Sequence, residues 1–191
     1  MEKPSIAEIR EEAQEKFGLM PGFFEETGSY TTAPAAVYLI ADEALLKGVL
    51  TRREQQAVLI ELARYHNSRY DAVVHARMAL DAGVPAQTVG HLLDGEAVDD
   101  DRLQALVEAT RLSCERRAWF SPNELKELRQ RGVQRGDLYE IFAFTGMKKM
   151  TAFTHHISDF SVEAPLRPLD KRMGDRFQQP ADPKRQRLFM G

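Results

Sequence analysis

The chain predicts an all-α fold, on three observations. Apolar residues recur at three- and four-residue steps along nearly the whole sequence, and no β-branched alternating run of useful length appears. Ser or Thr followed three residues later by Glu, and glycines placed after apolar turns, divide the chain into helix-length pieces. The 191 residues are 43% apolar and carry 26 Lys plus Arg against 29 Asp plus Glu, a formal charge of -3. That suits a globular domain long enough to bury a core. The charge is too near neutral for the basic footprint of a nucleic-acid binder, so no nucleic-acid partner is expected. A single cysteine, Cys114, excludes an internal disulfide, a two-cysteine redox centre within one chain and a cysteine-rich zinc site.

The elements follow in order. Ser5 caps a helix through Lys16, with Glu8 in the capping-box position and Gly18 as its stop. The segment GLMPGFFEETGSYTTAP is broken by Gly and Pro, yet Leu19, Met20, Phe23, Phe24 and Tyr30 mark it as packed. From Pro34 a helix runs to Lys47, with Ala36, Val37, Ile40, Ala44 and Leu45 facing inward. Thr51 and Glu54 form a second capping box, opening QQAVLIELARYHN, and Asn67 breaks the chain before a helix over Tyr70 to Ala82 that ends at Gly83. Pro85 starts a short helix; Asp100 or Asp101 caps the next, which holds Leu103, Leu106, Val107, Thr110 and Cys114 on one side. Ser121, Pro122 and Glu124 agree on another start, closed by Gly132, and the last helix spans Asp137 to about Phe160.

Residues 1–161 are expected to form one helical domain. From Val162 to Gly191 the sequence turns proline-containing and basic, which reads as an extended, partly disordered arm, either solvated or wrapping a partner. The N-terminus lacks the apolar core of a signal peptide and no apolar run approaches a bilayer span, so a cytoplasmic protein without a membrane partner is expected.

The residues Leu50, Thr51, Arg53, Glu54, Ala63, Arg64, Tyr70, His75, Ala79, Ala82 and Gly83 sit within LTRREQQAVLIELARYHNSRYDAVVHARMALDAGV. This stretch resembles the signature helix pair of the carboxymuconolactone decarboxylase and alkylhydroperoxidase D-like (AhpD-like) family, and the resemblance extends over about Phe17 to Phe160. It implies an AhpD-like helical domain assembled as a homo-oligomer, a trimer or hexamer. The apolar side chains Phe142, Phe144, Met147, Met150 and Phe153 are expected to supply surface for that assembly.

In the redox branch of that family two cysteines occupy the positions of Ser68 and Asp71, with a glutamate at Gln56 and the histidine at His75. Only the histidine is present here. Neither a hydroxyl nor a carboxylate can cycle through a disulfide, so thiol peroxidase chemistry is not expected at this site. The cysteine-free branch carries an acidic residue four before the histidine, a spacing that Asp71 and His75 repeat. Four residues advance a helix by about 40° beyond a turn, so both side chains share a face. The resemblance implies a cofactor-free lyase or isomerase on a small carboxylated, lactone-like substrate. His75 is the expected acid/base and Asp71 its orienter, with Ser68, Gln56, His66 and Tyr70 as substrate contacts. Gln56 is expected to donate to a ligand or to His75.

Plainer readings stand beside these. Asp71 and His75 can be a surface ion pair, Ser68 a helix cap, Tyr70 a packing residue, and His66 a partner for a terminal carbonyl. Glu54 reads as half of a capping box and Glu61 as the partner of Arg64 on an outer stripe. Cys114 reads as a buried small side chain. His155 and His156 are adjacent and diverge by about 100°, and no His-x-x-x-His pair occurs, so neither a metal nor a cofactor is expected. Two further functions remain open: a catalytically silent binding or assembly protein, and a peroxidase-type antioxidant by family label.

Overall fold

The computed structural model describes residues 4–158 and 160–177. Among them the regular structure is helical, without a strand. In chain order the helices are α1 (Ile6–Phe17), α2 (Gly22–Gly28), α3 (Ala33–Leu45), α4 (Arg52–Tyr65), α5 (Arg69–Asp81), α6 (Ala86–Asp94), α7 (Asp101–Glu115), α8 (Pro122–Gln130), α9 (Arg135–Ser158) and α10 (Arg167–Arg172). A 3-10 turn over Ala164–Leu166 leads into α10.

The expected caps form. Ser5, Thr51 and Ser121 each complete a capping box with Glu8, Glu54 and Glu124, and Asp100 accepts from the amide of Leu103. Each box satisfies two backbone donors that a helix start leaves orphaned. Glu54 also receives Arg102 of α7 at 2.5 Å, and the same guanidinium reaches Asp137 of α9, so one cation ties the starts of α4 and α9 to α7. Asn67 adopts a positive φ of 50°, which lets α4 turn into α5 within three residues.

Helix α4 is the central element, packed against α5, α6, α7 and α9. Every residue from Gln55 to Ala63 is buried. Ile60, Val73, Leu92 and Val107 belong to one apolar cluster, and Leu62, Leu106, Leu128, Ile141 and Phe144 to a second that joins α4, α7, α8 and α9. A third, built on Ile9, Phe23, Phe24 and Leu39, ties α1, α2 and α3 together. Helices α2 and α3 also pack on α9.

Several expectations are corrected. On α3 the inward residues are Ala35 and Leu39, whereas Val37 is 57% and Ile40 64% exposed. The composition of α3 is apolar nearly all round, so periodicity did not single out the buried stripe. Tyr30 is exposed, and Glu61 is buried, paired with Arg64 at 2.7 Å. Phe144 and Met147 belong to the interior of the chain itself, leaving Phe153 as the exposed member of that expected surface. Cys114 is only partly buried, on the second cluster.

Residues 162–177 are not an extended arm. Leu166, Leu169 and Met173 recur at helical spacing and pack on the first cluster, with Met173 buried. Arg69 of α5 fixes this strap, donating to Asp170 Oδ1 at 2.7 Å and to the carbonyls of Asp170, Gly174 and Arg176 at 2.6–2.8 Å. The rest of the expected arm, residues 178–191, lies outside the described residues. Among the described residues no helix is long and apolar enough to cross a membrane.

Candidate functional site

A cavity of about 410 Å³ lies where α2 and α3 meet α4, α5, α9 and the strap. Most of its wall is apolar, including Phe17, Phe23, Phe24, Leu59, Phe144 and Leu166. A small set of polar side chains interrupts that wall, the usual composition of a small-molecule site.

His75 projects from α5 and is buried. Its Nδ1 lies 3.0 Å from Oε1 of Gln56 on α4. Because an amide oxygen only accepts, Nδ1 carries the proton and Nε2 presents a lone pair. Nε2 is buried with no hydrogen-bond partner among the described residues. Burial, reinforced by the nearby Lys148 cation, holds the imidazole well below its ordinary value, against an opposing pull from Asp71. At neutral pH His75 is a neutral, available base.

Asp71 does not pair with His75. Its carboxylate accepts from Lys148 Nζ at 3.0 Å, from Thr151 Oγ1 at 3.0 and 3.1 Å, and from Ser68 Oγ at 2.8 Å. Both members of the ion pair are almost wholly buried, so the surface-pair reading of Asp71 and His75 fails as well. Burial alone would push the Asp71 carboxyl up, but the Lys148 ammonium and these hydrogen bonds hold it below the usual range. Burial would likewise lower Lys148, yet Asp71 and the Tyr38 hydroxyl raise it. Lys148 is thus a fixed cation, not a neutral amine available for imine formation. Tyr38 accepts from Lys148 at 3.3 Å.

At the strap end of the cavity, Tyr70 donates to Glu163 Oε1 at 2.6 Å. The amide of Gly22 also donates there at 2.6 Å, and lies 3.1 Å from the Tyr70 oxygen. Oε2 of Glu163 is buried and unpartnered. Burial, then the neighbouring Glu163 charge, pushes the Tyr70 phenol far above its ordinary value, so it stays a donor. Gly22 is needed for close approach: a Cβ at that position would sit 2.5 Å from the Phe160 ring.

The fold therefore brings His75, Asp71, Gln56 and Tyr70 to one cavity. Ser68 is not on its wall; it is the fully buried cap of α5 and braces Asp71. His66 is the C-cap of α4, its ring edge-on to Tyr65 and Phe153, and also lies off the wall. Gln56 accepts from His75 where donation was expected. Lys148, Tyr38, Thr151 and Glu163 were missed. Lys148 had a signal: Ile141, Phe144, Lys148 and Thr151 follow one stripe of α9, where a lysine is out of place in a buried run. Glu163 had none. Among the described residues no group of three or more His, Cys, Asp or Glu side chains is placed to hold a metal ion.

The chain is similar in structure to an uncharacterized peroxidase-related protein from Ralstonia eutropha JMP134, described as an alkylhydroperoxidase AhpD core. The TM-score is 0.74 at 17% identity, over 87% of this chain and 93% of that one. It is also similar to an uncharacterized peroxidase-related protein from Silicibacter sp. TM1040, with TM-score 0.68 and 17% identity over 82% and 84% of the two chains. No protein-family model matches the chain, and no curated protein matches it in sequence. At this identity the likeness establishes the fold, which is AhpD-like and all-α.

Proposed function

We propose that this AhpD-like fold is a cofactor-free proton-transfer enzyme, a lyase or isomerase acting on a small enolisable carbonyl compound bound in the His75 cavity. The observation that carries this reading is the buried Nε2 of His75, without a partner among the described residues, on the wall of a mostly apolar cavity. His75 Nε2 takes a proton from the carbon next to the substrate carbonyl, and the bonding pair moves onto the carbonyl oxygen. Return of that proton at a different carbon completes an isomerisation. Lys148 stabilises the negative charge that develops, acting as a held ammonium in a medium of low dielectric. Gln56 keeps His75 in the tautomer that presents the lone pair. Asp71 acts through Lys148, by fixing its position, and not through the imidazole.

A lactone-like carboxylate remains the substrate type that the family resemblance implies, and Lys16, Arg52 and Arg77 on the cavity wall can meet its charge. The lowered imidazole favours proton abstraction over a decarboxylation that needs His75 loaded with a proton beforehand. Peroxide reduction, which the descriptions of the structural neighbours suggest, has no thiol to use on the wall of this cavity. Cys114 is not on its wall, and burial pushes its thiol up. Binding without turnover is the second reading, favoured by an amide at Gln56 that cannot relay a proton.

The test is deuterium uptake from solvent into β,γ-unsaturated lactone acids, followed by NMR. The wild-type chain is expected to accelerate uptake, and His75→Ala to abolish it with the helical fold intact. Undiminished uptake in that variant refutes the assignment; ligand binding without any uptake selects the second reading. We further propose assembly as a homo-oligomer through the exposed Val37, Ile40 and Val49.

A further inference from the structure

On the cavity wall two atoms are buried without a partner among the described residues, His75 Nε2 and Glu163 Oε2. Both are acceptors. Nε2 is the lone-pair nitrogen because Nδ1 donates to Gln56. Oε2 belongs to a carboxyl whose other oxygen takes the Tyr70 hydroxyl and the Gly22 amide, and no donor among the described residues reaches Oε2 itself. Lys148, the buried cation on the same wall, is held by Asp71 at 3.0 Å and meets the substrate's carbonyl oxygen, so it leaves these two atoms to other donors. Buried polar atoms in native proteins are as a rule satisfied, and only a donor can satisfy these two. A ligand presenting only carboxylate, ether or carbonyl oxygens there would leave both unmet and add repulsion at Glu163.

We propose that Glu163 is the specificity-determining residue of this cavity: its Oε2 accepts a hydroxyl or N–H of the substrate while His75 Nε2 faces the labile proton. The substrate class is then an enolisable carbonyl compound that carries a hydroxyl or amino substituent, lactone acids so substituted included. This rests on the reading of the His75 cavity as the substrate site. Glu163 belongs to the strap and not to the helix pair that carries the histidine, so the feature that reads the substrate and the feature that moves the proton come from different parts of the chain. Tyr70 links them, since it leaves α5 between Ser68 and His75 and holds Glu163 by its hydroxyl.

The experiment uses the full chain and three inert probes that differ by one O-methyl group at each step: resorcinol with two hydroxyl donors, 3-methoxyphenol with one, and 1,3-dimethoxybenzene with none. Binding is measured by calorimetry at a pH where the phenols are neutral. The wild-type chain is expected to prefer them in that order, with about tenfold lost for each donor removed. In Glu163→Gln the carbonyl oxygen can keep the Tyr70 and Gly22 contacts, so an NH2 donor replaces the free acceptor. That variant is expected to bind 3-methoxyphenol at least as tightly as resorcinol, reversing the preference. Equal binding of all three probes by the wild type, or binding of none at millimolar concentrations, overturns the proposal. An unchanged order in a folded Glu163→Gln does the same, and the wild-type series stands alone should the variant not fold. None of these measurements requires turnover. The donor preference with no deuterium uptake into any substrate would remove the proton-transfer reading and leave this one; uptake without donor preference would do the reverse.

Discussion

Lys148 Nζ and Asp71 Oδ1 lie 3.0 Å apart across the interface of α9 and α5, 77 residues apart in sequence and both shut away from solvent. A buried ion pair is weak evidence of net stability, because desolvation offsets most of the attraction, but removing one partner strands a charge. Lys148→Met and Asp71→Asn are each expected to lose about 3–5 kcal/mol in urea unfolding. The double variant should lose much less than the sum. Additive losses would show that the pair is not coupled.

Acid should weaken the fold through His75. Its folded value lies well below 6.5, so as pH falls under 6.5 the unfolded chain takes up a proton that the native chain refuses. Stability from this group is therefore complete above 6.5 and declines below it by at most about 1.4 kcal/mol per pH unit, until the native imidazole protonates. His66 is displaced in the same direction, mainly by burial, and adds to the slope. His75→Gln should flatten the dependence of the urea midpoint on pH, and an identical slope in that variant would assign the acid lability elsewhere.

Restoring a carboxylate beside the imidazole should raise its basicity. In Gln56→Glu the Nδ1 proton meets a charged acceptor instead of the amide oxygen 3.0 Å away. The His75 ring resonances are expected to titrate at higher pH than in the wild type, with a matching shift in the pH profile of deuterium uptake. A profile that does not move would separate Gln56 from the acid/base group.

Arg69 is predicted to govern the strap. Its guanidinium reaches a carboxylate and three carbonyls of residues 170–176. Because the side chain is partly exposed, Arg69→Ala should cost only about 1–2 kcal/mol locally. Amide exchange across residues 160–177 should then accelerate by about tenfold or more while α4 and α7 keep their protection. Equal acceleration throughout would mean that the strap opens only with the whole domain.

Ile40→Asp tests assembly. At 64% exposure this substitution should change the stability of a monomer by no more than about 0.5 kcal/mol. In a homo-oligomer joined through α3 it should dissociate the particle, as read by sedimentation. A wild-type chain that sediments as a monomer at micromolar concentration would dispose of the idea directly.

Legibility in the sequence followed the range of the interactions. The capping boxes at Ser5, Thr51 and Ser121 each join residues three apart, and all three are present. On α3 only Ala36 and Leu45 of the expected stripe pack inward, because an almost uniformly apolar helix carries no phase information and only contact with neighbouring helices selects Ala35 and Leu39 as its buried positions. The Asp71–His75 pairing was inferred from a four-residue spacing that is compatible with contact but does not require it. Asp71 instead finds a stronger partner in the ammonium of Lys148, and the imidazole finds Gln56.

By itself, then, the sequence determined the helical class, the boundaries of α1 and of α3 to α9 to within a few residues, and the helix pair that presents His75, but neither α2 nor α10. It also places Ser68 and Asp71, neither of them a thiol, at the start of the second helix of that pair. The partners of each charge were decided only by the tertiary structure. Lys148 and Glu163 reach the cavity from segments that are local neither to α5 nor to each other, and a buried charge must take whichever opposite group or donor the packing delivers. Packing likewise leaves His75 Nε2 and Glu163 Oε2 without partners among the described residues, and it is from these two atoms that the proposed ligand chemistry follows.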